Sequence, residues 1–347
     1  MLPAPRRSEP VQACQLGAKR VYAIEPSEVI QVAREIAAAN NCADKIEFFE
    51  DLSTKVTIPV RADVIVSDLR GVLPLFEHHI SSIVDARRRF LAPGGTLIAR
   101  KDRIWAAIVD APKEYGKIVG IWDGNPFGQD LGAARRKTLH AFRKVRVTPS
   151  QLLTEPQLWA TLDYATIENP DVRGNLQWKA KREGTGHGIL VWFEMELCDG
   201  VTFSSGPESP ETVYGSAFFP WLAPVPLAAG QNLCVELEAK LLDDDYFWRW
   251  TTQIESAEKA GETVARFEQS QLLGAVVSLA KLHKTSSEYV PQLSEEGLIR
   301  RMALDLMDGK SSLEEIARRL TAEFPSRFSR WQQALSFAAI ISKENSR

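Results

Sequence analysis

Three carboxylates stand at or near the ends of β-branched runs: Glu25 after RVYAI, Asp51 after KIEFF and Asp68 after VIVS. In open parallel sheets ligands gather beyond the carboxyl ends of the strands, so an acid there is placed to meet one. Glu25 is the best placed, because a carboxylate closing a strand can accept hydrogen bonds from both hydroxyls of a ribose. The competing reading makes it a solvated turn residue. Asp51, within EDLS, reads as a polar turn or helix cap. His187, between two glycines, lacks partners at metal-ligand spacing and reads as a packing or hydrogen-bonding residue. Of the adjacent His78 and His79, at most one should turn inward, since neighbouring helical residues do not share a face.

The elements that must hold these acids follow from periodicity. RVYAI at 20–24, KIEFF at 45–49, ADVIVS at 62–67 and GTLIA at 95–99 read as strands. Val29, Ala33, Ile36 and Ala37 recur at helical spacing, and EHHISSIVDARRRFL at 77–91 is a second helix, expected to stop at APGG. Strand, helix, strand in this order predicts an open parallel α/β sheet. A nucleotide-binding domain of that kind opens with a strand and a Gly-rich turn. Before RVYAI only Gly17 is present, ACQLGAKR suits the tail of a first helix, and the first strand and its turn have no candidate. The opening LPAPRRSEP looks like an accidental leader, so an incomplete start is expected.

From about 150 to 269 the texture changes. QLWATLDYATI, NLQWKAKR, GHGILVWFEMEL and NLCVELEAKL alternate apolar and polar residues as half-buried antiparallel strands do. DYFWRWTTQI adds another, with Tyr246, Phe247, Trp248 and Trp250 expected to pack a core rather than cage a ligand. After HKTSSEYVPQLSEE the tail turns helical. Ser312 with Glu315 has capping-box spacing, and Phe328, Trp331, Leu335 and Ala338 fall near one face of a last helix. Arg318, Arg319, Arg327 and Arg330 among glutamates read as a solvated face, so no specific nucleic acid is expected.

Composition excludes several classes. A chain of 347 residues exceeds the usual single core, so two or three domains are expected. Lysines and arginines (42) nearly balance aspartates and glutamates (45), which gives no global pull toward nucleic acid or anionic membrane. Cys14, Cys42, Cys198 and Cys234 lack CxxC spacing, so neither zinc nor a disulfide framework is signalled and isolated thiols are expected. AFFPWLAPVPLAAG at 217–230 carries three prolines and is too short to span a bilayer. The start has no apolar signal segment. A cytoplasmic protein with no membrane partner is therefore expected.

GAKRVYAIEPSEVIQVAREIAAAN, ADVIVSDLRGVLPLFE and ARRRFLAPGGTLI resemble the protein arginine methyltransferase family, and SSGPESPETVYGSAFFPW resembles the segment carrying that family's threonine-histidine-tryptophan loop. The resemblance runs from about residue 13 to about 255. It implies α/β plus β architecture: an incomplete class I methyltransferase-type sheet domain at 1–100, then a β-barrel substrate domain at 101–269 with a dimerisation arm near 122–150. A small helical, winged-helix-like module would occupy 270–347. There LSEEGLIRRMALDLMDGKSSLEEIARRLTAEFPSRF resembles peptide chaperones of the pyrroloquinoline quinone pathway, which implies peptide recognition.

The resemblance also implies S-adenosylmethionine as cofactor, a peptide or protein substrate and a homodimer. It assigns the family's two guanidinium-binding glutamates to Asp68 and Glu77, the cofactor contacts to Glu25 and Thr54, and a substrate-side aromatic to Tyr214. A guanidinium is planar and always charged, so paired carboxylates can grip it and aim one nitrogen. The first acid is shortened by one methylene, Val213 replaces the loop histidine, and the glycine turn has no counterpart. These departures favour impaired or absent methyl transfer. The alternative is a non-catalytic peptide-binding or scaffold protein, and Arg70 would then satisfy Asp68 or Glu77 from within. Methylation of a small molecule or another peptide side chain is a third reading.

Overall fold

The computed structural model describes residues 9–124, 128–259 and 261–346. The chain divides into two compact units, Met1–Ala275 and Val276–Arg347. The short helix α6 (Gln271–Gly274) belongs to the first unit.

The first unit opens with helix α1 (Glu9–Gln15), strand β1 (Val21–Ile24), helix α2 (Ile30–Ala39) and strand β2 (Ile46–Phe49). β1 and β2 pair in parallel, Val21 with Ile46 through Ile24 with Phe49. Beneath them Val11, Cys14, Ala37, Cys42 and Ile46 form a small apolar cluster. Cys14 and Cys42 are free thiols that share this core, where burial pushes the Cys14 thiol up.

Strand β3 (Ala62–Val66), helix α3 (His79–Arg89) and strand β4 (Leu91–Ile98) form the second parallel unit. The expected continuous sheet is thus two separate two-stranded sheets among the described residues. Parallel strands are ordinarily buried on both faces. Among the described residues β3 pairs only with β4, and Val64 and Val66 remain 50% and 60% exposed. No strand or Gly-rich turn precedes β1 among the described residues. APGG does not stop α3 as expected. The helix ends at Arg89, and Pro93 and Gly94 lie inside β4, where the register with β3 shifts. Gly94 has φ 77°, and a Cβ on Gly95 would lie 3.0 Å from the Asp63 carbonyl, so both glycines serve that bulge.

The rest of the unit is antiparallel. Strands β5 (Lys101–Val109), β6 (Arg143–Val145), β7 (Gln157–Asp163), β9 (Gly184–Cys198), β10 (Val201–Ser204) and β11 (Ser216–Leu227) make one sheet. Strands β8 (Val172–Lys179), β12 (Asn232–Leu242), β13 (Asp245–Glu255) and β14 (Thr263–Ser270) make another. Ile104, Trp159, Phe193 and Phe219 of the first share one core with Leu176, Val235, Trp248 and Trp250 of the second. No ladder closes the two sheets into a barrel among the described residues, so the expected barrel is seen as two packed sheets. The proline-rich run at 217–230 is mostly strand β11, and its register against β9 shifts between Pro220 and Val225. Helix α4 (Pro112–Asp123) largely precedes the span expected for the arm and helix α5 (Gly132–Leu139) falls within it, the two joined by Arg135 to Asp123 at 2.6 Å. Residues 125–127 of that arm lie outside the described residues.

The second unit carries the short helix α7 (Leu279–His283) and then α8 (Glu295–Asp305), α9 (Leu313–Glu323) and α10 (Trp331–Asn345). Its core holds Ile299, Ile316, Leu320, Phe328, Ala334 and Ala338. The capping box at Ser312 and Glu315 is formed, with Ser312 N donating to the Glu315 carboxylate at 2.7 Å.

Candidate active site

α3 fixes the loop that precedes it. Ile80, Ile83 and Val84 turn into the main core, each burial contributing roughly 1.5–3 kcal/mol. Its last turn carries Arg87, Arg88 and Arg89, cations favoured at a helix C-terminus. Arg89 donates to the carbonyls of Ser53 and Val56, and Arg87 to those of Tyr164 and Ile167. The C-terminal turn of α3 is thereby held against the residues that follow β7 and against the turn at 53–56.

Within the loop between β3 and α3 Arg70 is almost fully buried. Its Nε lies 2.7 Å from Asp102 Oδ2 and its Nη2 3.2 Å from Asp102 Oδ1, a bidentate pair. Its Nη1 lies 3.3 Å from Asp68 Oδ1. Burial works against the guanidinium charge, but Asp102 and then Tyr164 outweigh it and hold Arg70 above its ordinary value. Asp102 is on β5 and wholly buried. Tyr164, also buried, donates its hydroxyl to Asp102 Oδ2. Burial, followed by the Asp102 charge, keeps that phenol protonated.

His79 Nε2 lies 2.9 Å from the Tyr164 hydroxyl. Because Tyr164 gives its own proton to Asp102, the network assigns the imidazole proton to Nε2. Burial, then the nearby Arg70 charge, lowers the His79 pKa to about 3, so the ring is neutral. Its Nδ1 is buried and has no hydrogen-bond partner among the described residues. His78, in contrast, faces solvent and reaches Asp244 at 2.9 Å.

Asp68 is half-buried and receives a second donor, the Tyr214 hydroxyl. The Tyr214 ring packs edge-on against Phe193 and Phe203, with centroids 5.3 and 5.8 Å away. Asp68 and Tyr214, two of the residues expected at the site, are thus brought together across the two parts of the unit. Glu77 stands exposed just before α3 with φ 41°. Glu25 follows β1, half-buried, and its Oε1 accepts from the Ser27 amide at 3.0 Å and the Ser27 hydroxyl at 2.6 Å. Thr54 sits in an exposed turn. No contact among the described residues joins Glu25 or Thr54 to the Asp68 cluster.

A groove of about 460 Å³ lies elsewhere, lined among others by Arg87, Thr96, Arg100, Lys101 and Asp163. Its cations are matched by Glu168, Asp199 and Glu196, and none of the expected site residues lines it. His187 is a buried packing residue, its Nδ1 2.8 Å from the Thr185 carbonyl. No metal-holding group of His, Cys, Asp or Glu, and no helix long and apolar enough to cross a membrane, occurs among the described residues.

Asp102 and Tyr164 were not foreseen as parts of the site. A signal for Asp102 existed: Ile104, Ala106 and Ile108 point inward at strand period, and Asp102 shares their parity. A buried acid needs a cation, and Arg70 is the only lysine or arginine between Ser67 and His78.

Residues 101–253 match the family model described as the arginine methyltransferase oligomerization subdomain. The chain is 28% identical over 206 residues to protein arginine N-methyltransferase 1 of Dictyostelium discoideum, covering 58% of this chain and 60% of that protein. It is 30% identical over 226 residues to protein arginine N-methyltransferase 2 of Mus musculus, covering 61% and 50%. The match to these relatives thus spans between half and three fifths of their length. Among solved structures, a chain of the Trypanosoma brucei PRMT1 enzyme-prozyme heterotetrameric complex with AdoHcy matches with TM-score 0.68 at 18% identity, covering 75% of this chain and 83% of that one. Arabidopsis thaliana protein arginine methyltransferase 10 matches with TM-score 0.64 at 19% identity, covering 75% and 84%. The chain is thus similar in sequence to protein arginine N-methyltransferases over about three fifths of its length, and similar in fold to solved structures of such enzymes.

Proposed function

We propose that the chain is a protein arginine methyltransferase-like protein that engages a guanidinium of a peptide or protein for S-adenosylmethionine-dependent methyl transfer, with the chemistry impaired in this form. One observation carries the reading: Tyr214 and Asp68, drawn from the two segments that resemble the family's substrate side, meet through a hydrogen bond. Asp68 and Glu77 bracket the loop and supply the anionic charge that a guanidinium requires. The impairment follows from Arg70, a guanidinium of the chain itself, which already donates to Asp68. That contact also gives the scaffold reading its support.

The fit to the cofactor is partial. Glu25 at the end of β1 suits a ribose, whereas Thr54 in its exposed turn offers a hydroxyl and no charge. S-adenosylmethionine would supply the methyl group. The residues of this chain bind and orient: Glu25 on the cofactor side, Glu77 and Asp68 on the substrate side, Tyr214 fixing the Asp68 carboxylate. The two packed sheets would serve as the family's barrel domain, and the match to an oligomerization subdomain supports a homodimer through α4 and α5. The second unit would recognise peptides in the manner of the chaperones it resembles, in a cytoplasmic protein. Calorimetric titration tests the cofactor half: S-adenosylmethionine should bind at millimolar concentration and lose affinity in Glu25→Ala. Absence of binding at that concentration overturns it.

A further inference from the structure

Between Asp130 and Glu155 the chain carries six lysines and arginines and no acid, in a protein whose net charge is -3. Arg135 meets Asp123. Arg143 and Lys144 lie on β6, an edge strand of the larger sheet, and Arg146 stands just beyond it. Cations on an edge strand discourage pairing with another chain. That need does not account for what Lys144 and Arg146 touch. Lys144 donates to the Val213 carbonyl, and Arg146 Nη2 donates to the Ser209 carbonyl at 3.0 Å. A carbonyl satisfies a donor and leaves the charge uncancelled. Neither side chain has a carboxylate at ion-pair distance among the described residues. Both are exposed, and each keeps further N–H groups for another acceptor.

The loop they hold is the one that carries Tyr214. Val213 directly precedes Tyr214, which donates to Asp68, so Lys144 is anchored one residue from the contact on which the guanidinium reading rests. The pairing of β6 with β11, Lys144 opposite Ala217, fixes the backbone from which Lys144 extends. Glu208 and Glu211 stand in the same loop and pair with neither cation among the described residues. Against Arg143, Lys144 and Arg146 they leave a strip of net positive charge. A peptide rich in further cations is repelled there, and one with carboxylates is attracted.

We propose that Lys144 and Arg146 are specificity-determining residues that receive acidic side chains flanking the arginine of a peptide. The substrate class is then a peptide with Asp or Glu within a few residues of its arginine. The role rests on the guanidinium reading for its place beside the arginine, and it adds the flanking sequence to that reading.

Fluorescence anisotropy with the full chain tests this on three peptides: an arginine flanked by glutamates, the same arginine flanked by glutamines, and the glutamate peptide with citrulline in place of arginine. The wild type should bind the glutamate peptide about fivefold more tightly than the glutamine one, as two exposed charge pairs would give, and the difference should shrink in high salt. Lys144→Gln/Arg146→Gln keeps a donor for each carbonyl and should bind both arginine peptides as the wild type binds the glutamine one. A general loss of structure would weaken the glutamine peptide as well, and the wild-type comparison needs no variant to fold. Equal affinity of the wild type for the glutamate and glutamine peptides, or a preference that survives in the double variant, overturns the role. A single-stranded RNA oligonucleotide that binds more tightly than the glutamate peptide, and loses that affinity in the double variant, reassigns the strip to nucleic acid and overturns it too. The citrulline peptide addresses the other reading separately: if it binds the wild type as well as its arginine counterpart, the guanidinium reading fails, while the glutamine comparison still decides the role of Lys144 and Arg146.

Discussion

The Tyr214 hydroxyl donates to the Asp68 carboxylate, joining residues 146 positions apart in the chain. The bond ties the loop after β3 to the segment that leads into β11. Tyr214→Phe keeps the ring against Phe193 and Phe203 and removes only the donor. It should cost roughly 1.5 kcal/mol, the low end for a hydrogen bond to a charged group at a half-buried site. Tyr214→Ala should cost about 2 kcal/mol more, from lost aromatic packing. Urea unfolding of the three proteins checks the order.

The Arg70 and Asp102 pair should respond asymmetrically to mutation. Arg70→Met leaves Asp102 buried without its cation, at a cost of about 3–5 kcal/mol. Arg70→Met/Asp102→Asn removes the stranded charge and should recover most of that loss. Denaturation midpoints that fall further in the double variant than in the single one would refute the ion-pair account.

His79 ties stability to pH. Its folded pKa of about 3 lies below the unfolded value of 6.5, so between these values the unfolded chain binds the additional proton. The stability linked to a neutral His79 is fully present above pH 6.5 and is lost as pH falls from about 6.5 toward about 3. Other groups titrate in the same range, so the comparison is with His79→Met. The wild type should lose more stability between pH 7 and pH 4 than this variant does, measured by urea midpoints at each pH. Parallel curves would show that the imidazole is not the linked group.

Glu77 holds a left-handed backbone conformation, φ 41°, that side chains adopt at a cost. Glu77→Gly should therefore stabilise the fold by about 0.5–1 kcal/mol, after the added entropy of glycine in the unfolded chain is subtracted. The same variant should bind the arginine peptide more weakly. Gain of stability with loss of binding is the signature of a residue kept for what it contacts rather than for the fold.

Much of this was legible in the residues. RVYAI, KIEFF and ADVIVS became strands because β-branched runs between turn signals have few other solutions. Ser312 and Glu315 capped α9 because that interaction is local. The separation of the parallel strands into two sheets was not legible, since strand adjacency is a long-range property that a linear pattern does not encode. β11 escaped because its prolines argue against a strand, and the shifted register that accommodates them exists only in the presence of β9. For the site, Asp68 and Tyr214 were named and do meet. The partner that dominates Arg70 was missed, because Asp102 is far from the loop in sequence and is joined to it only by packing.

In the proposed function Asp68 and Glu77 serve a guanidinium in methyl transfer, restrained by Arg70. Incorporation of a tritiated methyl group from S-adenosylmethionine into an arginine-containing peptide, compared with its lysine counterpart, tests it most directly. Weak transfer to the arginine peptide is expected in the wild type, more in the Arg70→Met/Asp102→Asn protein, and none in either background once Glu77→Gln is introduced. Equal transfer with and without Glu77→Gln, or no transfer in the double variant, would contradict it.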